Sequence, residues 1–224
     1  MHQTVVDLLR NNAAHAEAFD ARFDDVQTVQ HPDVVTVCCA DSRVLQDRMW
    51  NNDQPGELFT CSNVGNRVGQ STPEGTVVSG DVLFPLHHLD TDIAVVVGHT
   101  GCGAVTAAYD DLTEGVDAAP GIRHCLDSLT DHLESALDRL PEGLNRRETI
   151  NRLVEYNVDQ QLALLRESDD VTADLVGCVY DFQDVYPGRR GEIHVVNVDG
   201  ERRVDRLRSR HPAVAARVHR LWEY

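Results

Sequence analysis

Hydrophobic and polar positions alternate along this chain in two distinct rhythms. Residues 1–30 carry apolar side chains at Leu8, Leu9, Ala13, Ala14, Ala18 and Phe19 among polar ones, a spacing that predicts a helical arm. Pro32-Asp33 ends it. The β-branched run Val34-Val35-Thr36-Val37-Cys38-Cys39 then reads as a strand. A loop and short helix through Leu45 and Trp50 lead to a Pro55-Gly56 turn and a second strand near Leu58–Cys61. Residues 62–72 read as a polar loop, and Thr72-Pro73-Glu74 as the start of a helix running to about Leu89. Asp92–Gly98 is apolar nearly throughout, as a strand buried on both faces of a parallel sheet would be.

Another helix is expected just after Cys102. Residues 121–167 are largely helical with a break at Pro141-Glu142-Gly143. Strands follow at Asp174–Phe182 and, as an edge, Ile193–Val198, and the stretch from Pro212 reads as helical. Strands alternating with helices predict an α/β fold: a central, mostly parallel sheet flanked by helices, plus the N-terminal arm. With 224 residues and no low-complexity linker, one domain over 1–224 is expected. Ligands in such sheets bind beyond the carboxyl ends of the strands.

Two motifs fall at that position. Cys39-Ala40-Asp41-Ser42-Arg43 closes the first strong strand, and His99-Thr100-Gly101-Cys102 closes the strand at 92–98. Two thiolates and an imidazole make a three-ligand zinc set that leaves a fourth position for water, whose pKa the metal lowers to roughly 7. Arg43 can grip Asp41 through two parallel hydrogen bonds. Asp41 then accepts a hydrogen bond from metal-bound hydroxide and turns its lone pair toward a substrate. Taken alone, each cysteine is a core side chain, His-x-x-Cys is weak and Asp-x-Arg is a surface ion pair. The conjunction, each motif after a β-branched run, points to the metal.

Composition narrows the alternatives. There are 37 acidic against 20 basic residues, a formal net charge of −17, and every basic residue is Arg. No basic face is available for nucleic acid. Such an acidic surface is expected of a salt-adapted, halophilic-type protein. No segment approaches the roughly 18 consecutive apolar residues of a membrane helix, and the first residues lack the features of a secretion signal. A cytoplasmic protein is therefore expected. The six cysteines are not spaced like a disulfide scaffold. Cys38 points to the opposite face from Cys39, and Cys61, Cys125 and Cys178 read as core. His87 and His88 read as solvent-facing residues at a helix end.

Cys-x-Asp-Ser-Arg followed about sixty residues later by Gly-His-x-x-Cys-Gly resembles the β-carbonic anhydrases. The likeness extends through the early helical arm, Pro55–Phe59, Asn63-Val64-Gly65-Asn66 and Val179-Tyr180-Asp181. The resemblance implies reversible hydration of carbon dioxide to bicarbonate and a proton. It implies one zinc ion per chain on Cys39, His99 and Cys102, with Asp41 and Arg43 as the orienting dyad. It also implies a homodimer or a dimer-based homo-oligomer whose N-terminal arms pack on the neighbouring subunit. By the same resemblance, Gln30, Phe59 and Phe84 line the carbon dioxide pocket, and the backbone N–H of Gly103 contacts substrate. Members that trap bicarbonate in a side pocket have an Arg where this chain has Ser62 and a Trp where it has Thr36. No such pocket is expected here, and the form with Asp41 held off the metal should dominate at neutral pH. A carbonyl sulfide or carbon disulfide hydrolase on the same scaffold, or a non-catalytic zinc protein, remain open on sequence alone.

Overall fold

A computed structural model describes residues 1–17, 19 and 21–224. The chain opens with α1 (Gln3–Glu17), of which no residue is buried, and a 3-10 turn at Ala21–Val26. The expected arm is thus a helix and a turn. Residues 27–33 are not helical, and Ala18, read as part of its apolar pattern, lies outside the described residues. After it come β1 (Val34–Cys39), α2 (Gln46–Met49), β2 (Leu58–Asn63), β3 (Gly69–Thr72), β4 (Gly75–Val78) and α3 (Gly80–His88). The second half contains β5 (Ile93–His99), α4 (Gly103–Glu114), α5 (Pro120–Leu137), α6 (Arg146–Glu167), β6 (Asp174–Asp181), β7 (Glu192–Val198) and α7 (Val204–Arg210). Among the described residues, no helix is long and apolar enough to cross a membrane.

The main sheet runs in the order β2-β1-β5-β6-β7; the first four strands are parallel and β7 pairs antiparallel at the edge. Side chains alternate between its faces. Val35, Val37, Cys39, Ala94 and Val96 join the larger core with α4, α5 and α6, whereas Cys38, Val95, Val97 and Cys178 form a separate cluster on the other face. Cys61 packs in the larger core, while Cys125 is only half-buried. Gly98 lets α6 approach β5: a Cβ there would stand 2.8 Å from Val158 Cγ2 and 2.9 Å from Val154 Cγ1.

Two expectations are corrected. The helix expected from Thr72 to Leu89 is instead the hairpin β3–β4 followed by α3. Pro73-Glu74 occupies the hairpin turn, Thr72 Oγ1 donates to the Gly75 carbonyl at 2.9 Å, and Gly75 takes φ +125°. A left-handed glycine belongs in a turn, not a helix interior. The true N-cap is Ser79, whose hydroxyl accepts from Asp81 N–H. At the other end, Pro212–Arg217 is a 3-10 turn, and the α-helix lies just before it, at Val204–Arg210.

Candidate functional site

Parallel pairing of β1 with β5 brings Cys39 and His99 to adjacent strand ends. Gly101, at φ +62°, then turns the chain so that Cys102 N-caps α4. Cys39, His99 and Cys102 are all buried, and their ligand atoms lie within 4.8 Å of one another. The two sulfurs are 3.8 Å apart. Tetrahedral zinc with Zn–S bonds near 2.3 Å separates two sulfurs by about 3.8 Å.

The imidazole is aimed by its far side. His99 Nδ1 lies 3.1 Å from the Thr100 carbonyl and so carries the proton it donates there, while Nε2 is buried with no hydrogen-bond partner. A buried nitrogen lone pair facing two thiols is the donor set that zinc takes. The thiols differ. Cys39 is held well below the ordinary thiol range, chiefly because Cys102 donates its S–H to it. His99 and the Gly65 N–H reinforce that shift, and burial opposes it. Cys102 is pushed up, chiefly by the same shared proton and by burial, although the Val105 and Ala104 N–H groups at the start of α4 favour its thiolate. The pair thus gives up one proton readily; a divalent cation would favour release of the second.

Beside the triad, Arg43 Nε donates to Asp41 Oδ1 at 2.8 Å and Nη2 to Oδ2 at 2.6 Å. The Arg43 side chain holds the Asp41 carboxyl well below the usual carboxylate range. Asp41 Oδ2 also lies 3.6 Å from His99 Nε2, so it borders the space the three ligands face. Arg43 Nη2 donates in addition to the Gly101 carbonyl at 3.1 Å, tying the two motif loops together.

The structure does not gather every expected residue. Phe59 pairs with Val35, four residues before Cys39 on β1, which separates it from the thiols by about 13 Å of strand rise. Phe59 and Phe84 face each other at 6.3 Å between ring centroids, and Phe84 and Gln30 are exposed. Phe59, with Phe84 beside it, thus lies toward the opposite end of the strands from Cys39. Gly103 begins α4 next to Cys102, and a Cβ on it would meet only open space. Thr36 is buried and Ser62 exposed, so neither position supplies a cation or an aromatic ring. His87 and His88 are exposed, and His87 Nε2 contacts the Asp170 carbonyl at 2.7 Å.

Several supporting residues went unassigned in the sequence. The Phe182 ring stacks on His99 at 5.5 Å and lies under the Arg43 guanidinium at 4.8 Å. Asp181 is buried; it accepts from Thr100 Oγ1 at 3.2 Å and from the Gln183, Val185 and Tyr186 N–H groups. It thereby fixes the Thr100 peptide that orients His99. Asn151 on α6 accepts from the Gly101 N–H at 2.8 Å. Gly65 contacts Cys39 from a loop closed by Asn63, whose side chain bonds the Arg67 N–H and carbonyl at 2.8 Å each. The Asn-x-Gly-Asn stretch was the visible signal for that loop; Asn151 had none.

A sequence model of the carbonic anhydrase family matches residues 34–186. A carbonic anhydrase of Pseudomonas aeruginosa is 32% identical over 180 residues, covering 75% of this chain and 78% of that protein. Among solved structures, a tetrameric β-carbonic anhydrase from Sordaria macrospora superposes with a TM-score of 0.72 at 20% identity, covering 88% of this chain and 98% of that one. A β-carbonic anhydrase of Aspergillus fumigatus gives 0.71 at 24% identity, covering 98% of this chain and all of that one. The chain belongs to the β-carbonic anhydrase family, a family of lyases.

Proposed function

We propose that this chain hydrates carbon dioxide reversibly to bicarbonate and a proton, with one zinc ion per chain held by Cys39, His99 and Cys102. The observation that carries this reading is the convergence of the three ligand atoms within 4.8 Å, with the Asp41–Arg43 pair alongside. When bound, zinc supplies hydroxide at neutral pH and stabilises developing negative charge.

The chain's own residues account for orientation. Asp41, ionised and paired, can only accept hydrogen bonds. It takes the O–H of the attacking oxygen and turns a lone pair toward the substrate carbon. Arg43 keeps Asp41 from swinging onto the metal, and Phe182 keeps Arg43 in place. The Gly103 N–H, at the start of α4, donates to an oxygen of the forming bicarbonate.

Assembly belongs to the same reading. The exposed α1, with Leu8 and Leu9 bare to solvent, packs on a second copy of the chain. Phe59 and Phe84, set away from Cys39 along the sheet, and Gln30 line the apolar pocket of the neighbouring subunit. The test is metal analysis with stopped-flow carbon dioxide hydration, and carbonyl sulfide as a parallel substrate, on the wild type, Asp41→Ala and Cys102→Ala. One zinc per chain, and hydration lost in both variants, is expected. Wild-type rates in metal-depleted protein, or faster turnover of carbonyl sulfide, would overturn the assignment.

A further inference from the structure

Between the start of α6 and the loop that follows β6 lies a cavity of about 330 Å³ whose wall includes Arg147, Glu148, Asn151, Arg152, Asp184 and Val185. Two of its polar groups are buried donors without acceptors. Asn151 is 1% exposed; its Oδ1 is committed to the Gly101 N–H, which fixes the amide's orientation and leaves Nδ2 buried with no partner. Arg152 Nε is likewise buried and unpartnered, its Nη1 donating to the Glu148 carbonyl at 3.1 Å. Arg147 donates to the Gln183 carbonyl. Neither arginine has a carboxylate within ion-pair distance among the described residues. Of the two acids in the wall, Glu148 is turned back onto the Asn145 N–H at 2.9 Å as part of the helix cap, and Asp184 is exposed. The cavity also sits at the N-terminal turn of a 22-residue helix, whose dipole favours negative charge.

We propose that this cavity binds a small oxyanion, to which Asn151 Nδ2 and Arg152 Nε donate and whose charge Arg147 and Arg152 neutralise. A water molecule brings two hydrogens of its own to this pair of unpartnered donors, whereas an oxyanion brings only lone pairs or a single O–H. The bound anion holds Asn151, and through it the Gly101 turn between His99 and Cys102, so it stiffens the loop that carries two of the three candidate ligands. This site is separate from the metal reading and stands or falls without it.

Thermal melts at constant ionic strength test it, with inorganic phosphate in one arm and bicarbonate in another. At about ten times the half-saturating concentration, an occupied site raises Tm by about 3–6 °C for a chain of this size. The larger shift identifies which source of oxyanion the cavity prefers. Arg147→Gln/Arg152→Gln should lose the shift in both arms. Selenate soaked into wild-type crystals should give an anomalous peak within hydrogen-bond distance of Asn151 Nδ2 and Arg152 Nε, a readout that does not depend on the variant folding. Flat melts in both arms, an equal shift in the double variant, or selenate density only elsewhere would overturn the proposal.

Discussion

Replacing Arg220 with Met removes the buried cation from a buried carboxylate pair, leaving only the partly exposed Arg202, 3.9 Å from Asp159 Oδ2. The Arg220 side chain is 2% exposed; Nη2 lies 2.8 Å from Asp159 Oδ2 and 3.8 Å from Glu155 Oε2. Both acids are on α6 and bind the C-terminal segment: Glu155 accepts from the Leu221 and Trp222 N–H groups and Tyr186 Oη, and Asp159 from Tyr224 Oη at 2.5 Å. Breaking a buried pair by deleting one partner costs about 3–5 kcal/mol, because the remaining charge keeps its desolvation cost. For a chain of this length that lowers Tm by about 6–20 °C. The deficit should depend on pH. Burial raises the Glu155 carboxyl to about 7 from its ordinary 4.5, with Arg220 the largest opposing influence. A carboxyl that is more basic when folded stabilises the fold while protonated. That contribution is full below about pH 4.5 and is lost as pH rises through 7, on the order of 3 kcal/mol in all. Protonated Glu155 needs no cation, so Arg220→Met should melt closer to wild type at pH 5 than at pH 8. Calorimetry at both pH values measures this. A variant within 2–3 °C of wild type at pH 8 (roughly 1 kcal/mol on the same scale), or a deficit equal at both pH values, would refute the reasoning.

Three other predictions bear on the site and the surface. Gly98→Ala forces a methyl against the stiff side chains of Val154 and Val158, costing about 1–3 kcal/mol, so a Tm drop of about 2–12 °C and weaker zinc retention at His99 are expected; an unchanged melt would contradict the close approach of α6. Arg43→Leu frees Asp41 and removes the Arg43 bond to the Gly101 carbonyl, which should slow carbon dioxide hydration about 100-fold in stopped-flow measurements; a rate within threefold of wild type would remove the dyad from the account. With a formal charge of −17, the protein should gain Tm and activity as salt screens its self-repulsion; a maximum of both at low ionic strength would end the salt-adapted reading.

The sheet was legible where apolar runs were long. Val34–Cys39 and Asp92–Gly98, short and rich in β-branched residues, read as strands, and β1 and β5 lie there. The three candidate ligands were legible because their chemistry is rare and each motif follows such a run. Short-range rules misled at Thr72-Pro73-Glu74, where proline suits a helix start and a turn equally and the Gly75 backbone decides for the hairpin. The helix at Val204–Arg210 was missed because its seven residues are mostly polar and a single one, Leu207, is buried. Least visible were contacts across the chain. Asn151 reaches Gly101 across fifty positions and Arg220 reaches Asp159 across sixty-one, and no local pattern marks such a residue before the helix that carries it is packed. Phe59 and Phe84 show a further limit: pairing within one chain leaves them away from the triad they were expected to serve.

Zinc K-edge absorption on the purified protein tests the central claim most directly, because it reads the atoms around the metal. The account predicts one zinc per chain with two sulfur neighbours at about 2.3 Å, one nitrogen at about 2.0 Å and one light oxygen ligand. A first shell of nitrogen and oxygen alone, or protein that hydrates carbon dioxide at full rate with no metal bound, would contradict it.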